Sequence, residues 1–428
     1  MLRDPLGALG AYAREHGDVV RVPLGPRTVY LVAHPDLIKH VLVDHAQHYS
    51  KGRTWEKTRS YLGDGLATAE GELWRRQRRL MQPQFHRDAI GGLAVLIART
   101  IDQTIARLDE RARAPEPVDL AAELMRMTLA VLASALFGGA VKTDVTGFTQ
   151  AFQVALEHTT ARVLSPIDIP DFLPTPGNLR FKRARATLDR VVLGVLQERR
   201  HSKEQTPDLL GMLIAATDPQ TGEGMGDGQL RDEIITLFLG GSETSANALA
   251  WAFYLLAKHP EMEARVRQEA EQVLGDRPPS LEDLPRLRLC TAVFEESMRL
   301  YPQNWVMSRD TIEADVIGGF HVPGRATVFL GVHAMHRDAR FWDSPETFDP
   351  ERFLPERAAD RHPFAYLPFG GGQRKCIGNH FALLEGTFAL AMILRAFAVE
   401  LVPGHEVTAD AKFNLRPKNG VLARLTRR

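Results

Sequence analysis

The stretch FGGGQRKCIG, from Phe369 to Gly378, sets Cys376 just after three consecutive glycines and beside the cations Arg374 and Lys375. It is one of only two cysteines in the chain. A Cys-x5-Arg phosphate loop fails, because Ala382 stands where the arginine is needed. A Walker loop also fails, since no Gly-Lys-Ser/Thr follows the glycines. What survives is the pattern F-x-x-G-x-R-x-C-x-G, carried by Phe369, Gly372, Arg374, Cys376 and Gly378 ahead of the apolar run NHFALLEGTFALAMIL. A plain buried cysteine near a glycine turn is the competing reading.

Around that stretch the chain has 428 residues, 44% of them apolar, and a formal net charge of zero. No global positive field is available for nonspecific nucleic-acid binding, so no nucleic-acid partner is expected. Two cysteines cannot build a disulfide framework and show no paired-zinc spacing, which points to a reducing compartment, the cytoplasm. Cys290, in LRLCTAVFEE, reads as a small core residue. The opening MLRDPLGALG has early charges and no apolar leader, so neither signal nor anchor is expected. Ile234 to Ala257 is long enough to span a bilayer, but Ser242, Glu243, Thr244, Ser245 and Asn247 crowd its midpoint, where lipid tolerates polar groups least. It reads as a core helix.

DVVRVPLGPRTVYLV alternates around Gly25-Pro26 and predicts a hairpin over Asp18 to Val32. HPDLIKHVLVDHA, AELMRMTLAVLASALFG and RATLDRVVLGVLQERR repeat apolar residues at helical spacing. Strand signals return in ADVIGGFHVPGRATVFLGVHAM, with a Pro-Gly turn, and in AKFNLRPKNGVLARL, whose Asn419-Gly420 suits a hairpin. No repeat or flexible linker interrupts the pattern. The expectation is a mainly α protein with a small β region built from both ends of the chain, folded as one domain over residues 1–428.

The Cys376 motif resembles that of the cytochrome P-450 superfamily of haem-thiolate monooxygenases. Glycines let the backbone lie close to a flat macrocycle, and a thiolate at a helix N-terminus is stabilised as a metal ligand. The resemblance extends along the chain. LFLGGSETSA matches the family's dioxygen-activating pattern, with Gly240 and Thr244 at i and i+4. FEESMRLYP and FDPERF supply Glu296, Arg299 and Arg352, similar to the family's structural Glu-Arg-Arg triad. Trp74 and Arg78 in GELWRRQRRL, with Arg309 and Arg374, match its haem-propionate contacts.

The resemblance implies the cytochrome P-450 fold and haem b, its iron bound by the axial thiolate of Cys376, with Phe369 and Gly378 framing that ligand. It implies that Thr244 and Glu243 deliver protons during dioxygen activation. By the same resemblance, Ala67, Gly240, Asn304, Trp305, Val306 and Phe413 face a mainly apolar substrate: a terpenoid, steroid, fatty acid or macrolide. Hydroxylation or epoxidation would need electrons from a ferredoxin or flavodoxin with its NAD(P)H-dependent reductase, because no reductase extension follows the final hairpin. Arg75, Arg76, Arg79 and Lys375 offer either a cationic face for that partner or a solvated basic surface. A monomer without a membrane anchor is expected. A peroxide-driven peroxygenase and a noncatalytic haem sensor or carrier are the alternatives. His45, His48, His333, His336 and Met307 complete no ligand set and read as structural.

Overall fold

A computed structural model describes residues 4–24, 27–138, 145–164, 169–170, 172–201 and 208–428. The chain forms two compact units, each drawn from separate parts of the sequence. Unit 1 comprises Met1–Gly52, Ala98–Met127 and Glu243–Arg428; unit 2 comprises Arg53–Ile97 and Thr128–Ser242.

Among the described residues, unit 1 holds every strand. In chain order these are β1 (Val19–Leu24), β2 (Arg27–Val32), β3 (Tyr49–Ser50), β4 (Val118–Asp119), β5 (Met307–Thr311), β6 (Asp315–Ile317), β7 (Phe320–Val322), β8 (Thr327–Leu330), β9 (Phe397–Leu401), β10 (Ala409–Ala411), β11 (Leu415–Pro417) and β12 (Leu422–Arg427). The expected N-terminal hairpin is present, with Val19 opposite Val32 and Leu24 opposite Arg27. Its Gly25-Pro26 turn lies outside the described residues. The main sheet runs β1-β2-β8-β5-β3, so the first hairpin is extended by strands from far along the chain, as the β region built from both ends requires. Val32, Ile38, Leu42, Ile317, Val328, Leu330 and Leu367 form the core against it.

The Pro-Gly turn is present, the chain turning at Gly324 and Arg325 between β7 and β8, and Gly318 and Gly319, at φ 55° and 85°, turn β6 into β7. One turn assignment changes. Asn419-Gly420 is not a hairpin turn, because β11 pairs with β10 while β12 joins β9 and β4. There the chain passes from one sheet to another. Gly420, at φ 71°, fits because a Cβ would lie 2.6 Å from the Asp119 carboxylate, which accepts the Val421 amide at 3.2 Å.

The helices of unit 1 include Glu243–Lys258, Arg288–Leu300 and Asn379–Ala396, which pack on one another. Their inward faces are almost entirely buried, with Trp251, Phe253, Phe294 and Phe388 among the largest hidden side chains. Trp251 stacks on Tyr301 at 3.8 Å and donates its indole N–H to the Leu415 carbonyl at 3.1 Å.

In unit 2 the helices Val145–Leu164, Pro176–His201 and Asp227–Gly241 bury a cluster of Tyr61, Phe148, Phe152, Phe181 and Phe238. The expected single core helix from Ile234 to Ala257 is interrupted. One helix ends at Gly241 and the next begins at Glu243. The Ser242 hydroxyl donates back to the Phe238 carbonyl at 2.6 Å, while the Ser242 carbonyl accepts from Thr128 at 3.0 Å. The Ser242 amide also donates to the Phe238 carbonyl, at 3.3 Å, so side-chain hydroxyls crowd into the ladder at the break. Among the described residues one helix, Leu120–Phe137, is long and apolar enough to cross a membrane, and 61% of it is buried.

Candidate active site

Cys376 lies on a loop that its own backbone closes, its amide donating to the Phe369 carbonyl at 2.8 Å. Gly370 and Gly372 sit at φ 68° and 66°, and a Cβ on Gly372 would lie 2.1 Å from the Leu42 carbonyl oxygen. The loop is therefore pressed onto residue 42, and glycine is required there. Gly378 caps the Asn379–Ala396 helix, so the thiol stands just before a helix N-terminus. Cys376 is exposed. Cys290 is fully buried, its thiol pKa pushed well up by burial and by nearby Glu269, as a core residue should be. An outward thiol on a loop bare of side chains from Gly370 to Gly372 fits a ligand to the metal of a flat cofactor. The half-buried Arg374 belongs to the same loop, and half-buried Arg309 lies on β5, whose Met307 sulfur is 3.5 Å from the Cβ position of Gly370.

Glu243 and Thr244 open the helix Glu243–Lys258, both half-buried. The Asn414 amide donates to Glu243 Oε2 at 3.0 Å. Burial raises the Glu243 pKa, while Asn414, Arg416 and Asn247 work against that rise. A carboxyl whose pKa burial raises, beside a hydroxyl, suits proton delivery. The helix break falls between Gly240 and Thr244, so the shared face expected of one continuous helix becomes the end of one helix and the start of another.

The Glu296 network is assembled as expected. Arg299 Nε and Nη2 donate to Glu296 Oε2 and Oε1 at 2.6 and 2.8 Å, and Arg352 Nε reaches Oε1 at 3.2 Å. Arg299 Nη1 also donates to the carbonyls of His336 and Pro345, at 2.8 and 2.6 Å. His336 is structural too: its Nε2 accepts the Leu367 amide at 2.9 Å, and burial takes its pKa down to about 3.

Asn304 is exposed, whereas Trp305 and Val306 are half-buried and pack on the cluster of Val20, Val22, Val29 and Leu31. Trp305 donates to the Lys412 carbonyl at 2.9 Å, which brings this stretch to the segment holding half-buried Phe413.

Ala67, Trp74, Arg78 and Gly240 belong to unit 2. Trp74 is buried and Arg78 half-buried on the helix Gly71–Met81, and Arg78 donates to Gln82 at 3.0 Å. A Cβ at exposed Gly240 would meet no atom within 4 Å. The Ala67 turn is tied down by two successive acids that sequence reasoning missed: Asp232 accepts the Asp64 amide at 2.8 Å and Glu233 the Leu66 amide at 2.9 Å. Their signal is the pair Asp232-Glu233 opening an otherwise apolar run. Glu233 is fully buried, and burial lifts its pKa to about 8. The expected cationic face is reduced, because Arg79 donates to Asp218 at 3.0 Å and Arg76 to the Gly224 carbonyl at 2.9 Å.

The cytochrome P450 family model matches residues 4–423. The chain belongs to the cytochrome P450 family. Cyclooctatin synthase of Streptomyces melanosporofaciens is 36% identical over 417 residues, covering 97% of this chain and 90% of the relative. Cyclooctat-9-en-7-ol 5-monooxygenase of the same organism is 37% identical, covering 91% and 84%. A cytochrome P450 crystal structure superposes with a TM-score of 0.90 at 29% identity, over 99% of this chain and 98% of that one. This chain is a cytochrome P450 monooxygenase of mainly α fold, and its family implies a haem-thiolate cofactor.

Proposed function

We propose that this cytochrome P450 binds haem b through Cys376 and inserts one atom of dioxygen into a terpenoid-type cyclic substrate, as a single-domain cytoplasmic monomer. The exposed Cys376 thiol on its glycine loop at a helix N-terminus is the observation that carries the reading. Arg374 and Arg309, with Trp74 and Arg78 from unit 2, are the proposed propionate contacts, and Phe369 and Gly378 hold the ligand loop. Bound haem supplies dioxygen activation, which a thiolate ligand favours. Two electrons from NAD(P)H, passed by a ferredoxin or flavodoxin, and two protons carry the second oxygen atom to water. Burial favours the protonated form of Glu243, and the neighbouring Thr244 hydroxyl passes its proton on.

Among terpenoid, steroid, fatty acid and macrolide, the relatives favour the first. One is named for oxidising position 5 of cyclooctat-9-en-7-ol, a cyclic alkenol. Asn304, Trp305, Val306 and Phe413 would supply the apolar contact and one hydrogen bond such a molecule needs, with the small residues Ala67 and Gly240 as further proposed contacts.

The test is turnover of a cyclic terpenoid alkenol by the haem-loaded chain, with ferredoxin, reductase and NAD(P)H in one arm and peroxide in another. Oxygenated product in the first arm, a thiolate-type red-shifted Soret band of the reduced carbonyl complex, and loss of both in Cys376→His are expected. Thr244→Ala should keep substrate binding and divert electrons to peroxide. A histidine-type band in the unaltered chain would overturn the ligand; product only in the peroxide arm would make it a peroxygenase.

A further inference from the structure

His40 follows the helix Pro35–Lys39, and the next residues wind in a wider turn, the His45 amide donating to the His40 carbonyl at 2.8 Å. In an α-helix, positions five apart point about 140° from each other. The wider i to i+5 turn aligns them instead, and the His40 and His45 rings stack with centroids 3.9 Å apart and planes 30° apart. Such π turns are rare and collect at functional sites. Facing them is Asp315, the first residue of β6, with its side chain 7% exposed. Its Oδ2 lies 2.9 Å from His40 Nε2 and its Oδ1 3.4 Å from His45 Nδ1.

The carboxylate is oriented independently of the imidazoles. Tyr49 donates its hydroxyl to Oδ2 at 2.5 Å, and the Val316 amide donates to Oδ1 at 2.7 Å. His45 Nδ1 is buried and makes no hydrogen bond of good geometry. A simple His–Asp hydrogen bond accounts for His40 and leaves this second nitrogen, turned toward the same carboxylate, unexplained. One donor atom from each of the three residues lies within 4.8 Å of the others. Two imidazole nitrogens and a carboxylate oxygen are the donors of a borderline first-row cation, and tetrahedral zinc spaces its donors about 3.3 Å apart.

We propose that His40, His45 and Asp315 bind one zinc-type divalent cation, with a fourth position for water, and so fasten the His40–Ser50 segment to the β6–β7 hairpin. His48 lies in the next layer, edge-on to His45 at 5.3 Å and paired with Glu313 at 3.3 Å. The site is close in sequence to the cysteine loop's support, since Leu42, whose carbonyl abuts Gly372, lies inside the wide turn.

Zinc is titrated calorimetrically into the haem-loaded, chelator-treated chain and into His45→Ala, Asp315→Asn and the control His86→Ala. The unaltered chain and the control should take up one equivalent, and each ligand variant should lose affinity by at least about 10–100-fold. Zinc should raise the melting temperature of the unaltered chain and not of His45→Ala. His45 is partly exposed and its Nδ1 makes no hydrogen bond, so His45→Ala should melt normally without zinc and decides the matter even if Asp315→Asn does not fold. No stoichiometric uptake, or one equivalent retained unchanged in His45→Ala, overturns the site.

Discussion

Glu296 and Glu385 lie on the helices Arg288–Leu300 and Asn379–Ala396, which pack against each other, and both side chains are fully buried. Their surroundings differ completely. Glu296 accepts from Arg299, from Arg352 and from the Asp349 amide, the last at 2.9 Å. Neither oxygen of Glu385 has a hydrogen-bond partner of good geometry; burial takes its pKa to about 8, against the milder pull of the Ser245 hydroxyl. Equal burial therefore gives one ion-paired carboxylate and one proton-holding carboxyl, and cations, not depth, make the difference. The region of Glu296 is built for rigidity. The Glu385 region stores a proton on the helix that follows Cys376.

The comparison breaks most forcefully at Glu296. Glu296→Gln leaves two buried guanidinium groups uncompensated and should destabilise the chain by about 3–5 kcal/mol, read as the denaturant midpoint of unfolding. A loss below about 1 kcal/mol would mean that the carbonyl bonds of Arg299 and Arg352 suffice alone. Glu385→Gln should act the other way. Between the ordinary carboxyl pKa of 4.5 and about 8, the folded chain holds a proton that the unfolded chain has released. Stability from this group is thus fullest below that window and falls as pH rises through it. The variant lacks the slope, so near pH 6 it should gain about 2 kcal/mol on the unaltered chain, with the gain growing toward pH 8. Parallel stability curves against pH would show that Glu385 has an unnoticed partner.

The motifs that sequence made legible are local. Glu296 and Arg299 are i and i+3 on a helix, the N-terminal hairpin alternates over much of its length, and the glycine pattern before Cys376 spans one loop. What remained hidden depends on distant partners. Thr128 bonds the Ser242 carbonyl at the helix break from across the sequence, and Asp315 meets His40 from 275 positions away. Asn419-Gly420 carries hairpin chemistry, but β9 and β4 offer β12 a better ladder than β11 does, so tertiary pairing overrides the turn signal. Arg76 and Arg79 resemble an open cationic stripe until the loop around Asp218 folds onto them.

Glu243 stands between the two carboxyls of the comparison: half-buried, with the amides of Asn414 and Asn247 and the charge of Arg416 favouring its charged form, but with no guanidinium bonded to it among the described contacts. Asn414, itself buried, is the strongest of the groups that oppose the effect of burial on Glu243. Asn414→Ala removes a donor that favours the charged form, so the Glu243 pKa should rise further and the carboxyl should keep its proton to higher pH. Stability should fall by only about 1 kcal/mol, the net worth of one such hydrogen bond. If Glu243 passes protons through Thr244 as proposed, coupling of NAD(P)H oxidation to product declines as pH rises through the Glu243 pKa, and in Asn414→Ala that decline should move to higher pH. Coupling measured across pH in both proteins, alongside their melting temperatures, separates the two effects. A changed melting temperature with an unmoved coupling profile would leave Asn414 a purely structural residue and take Glu243 out of the proton path.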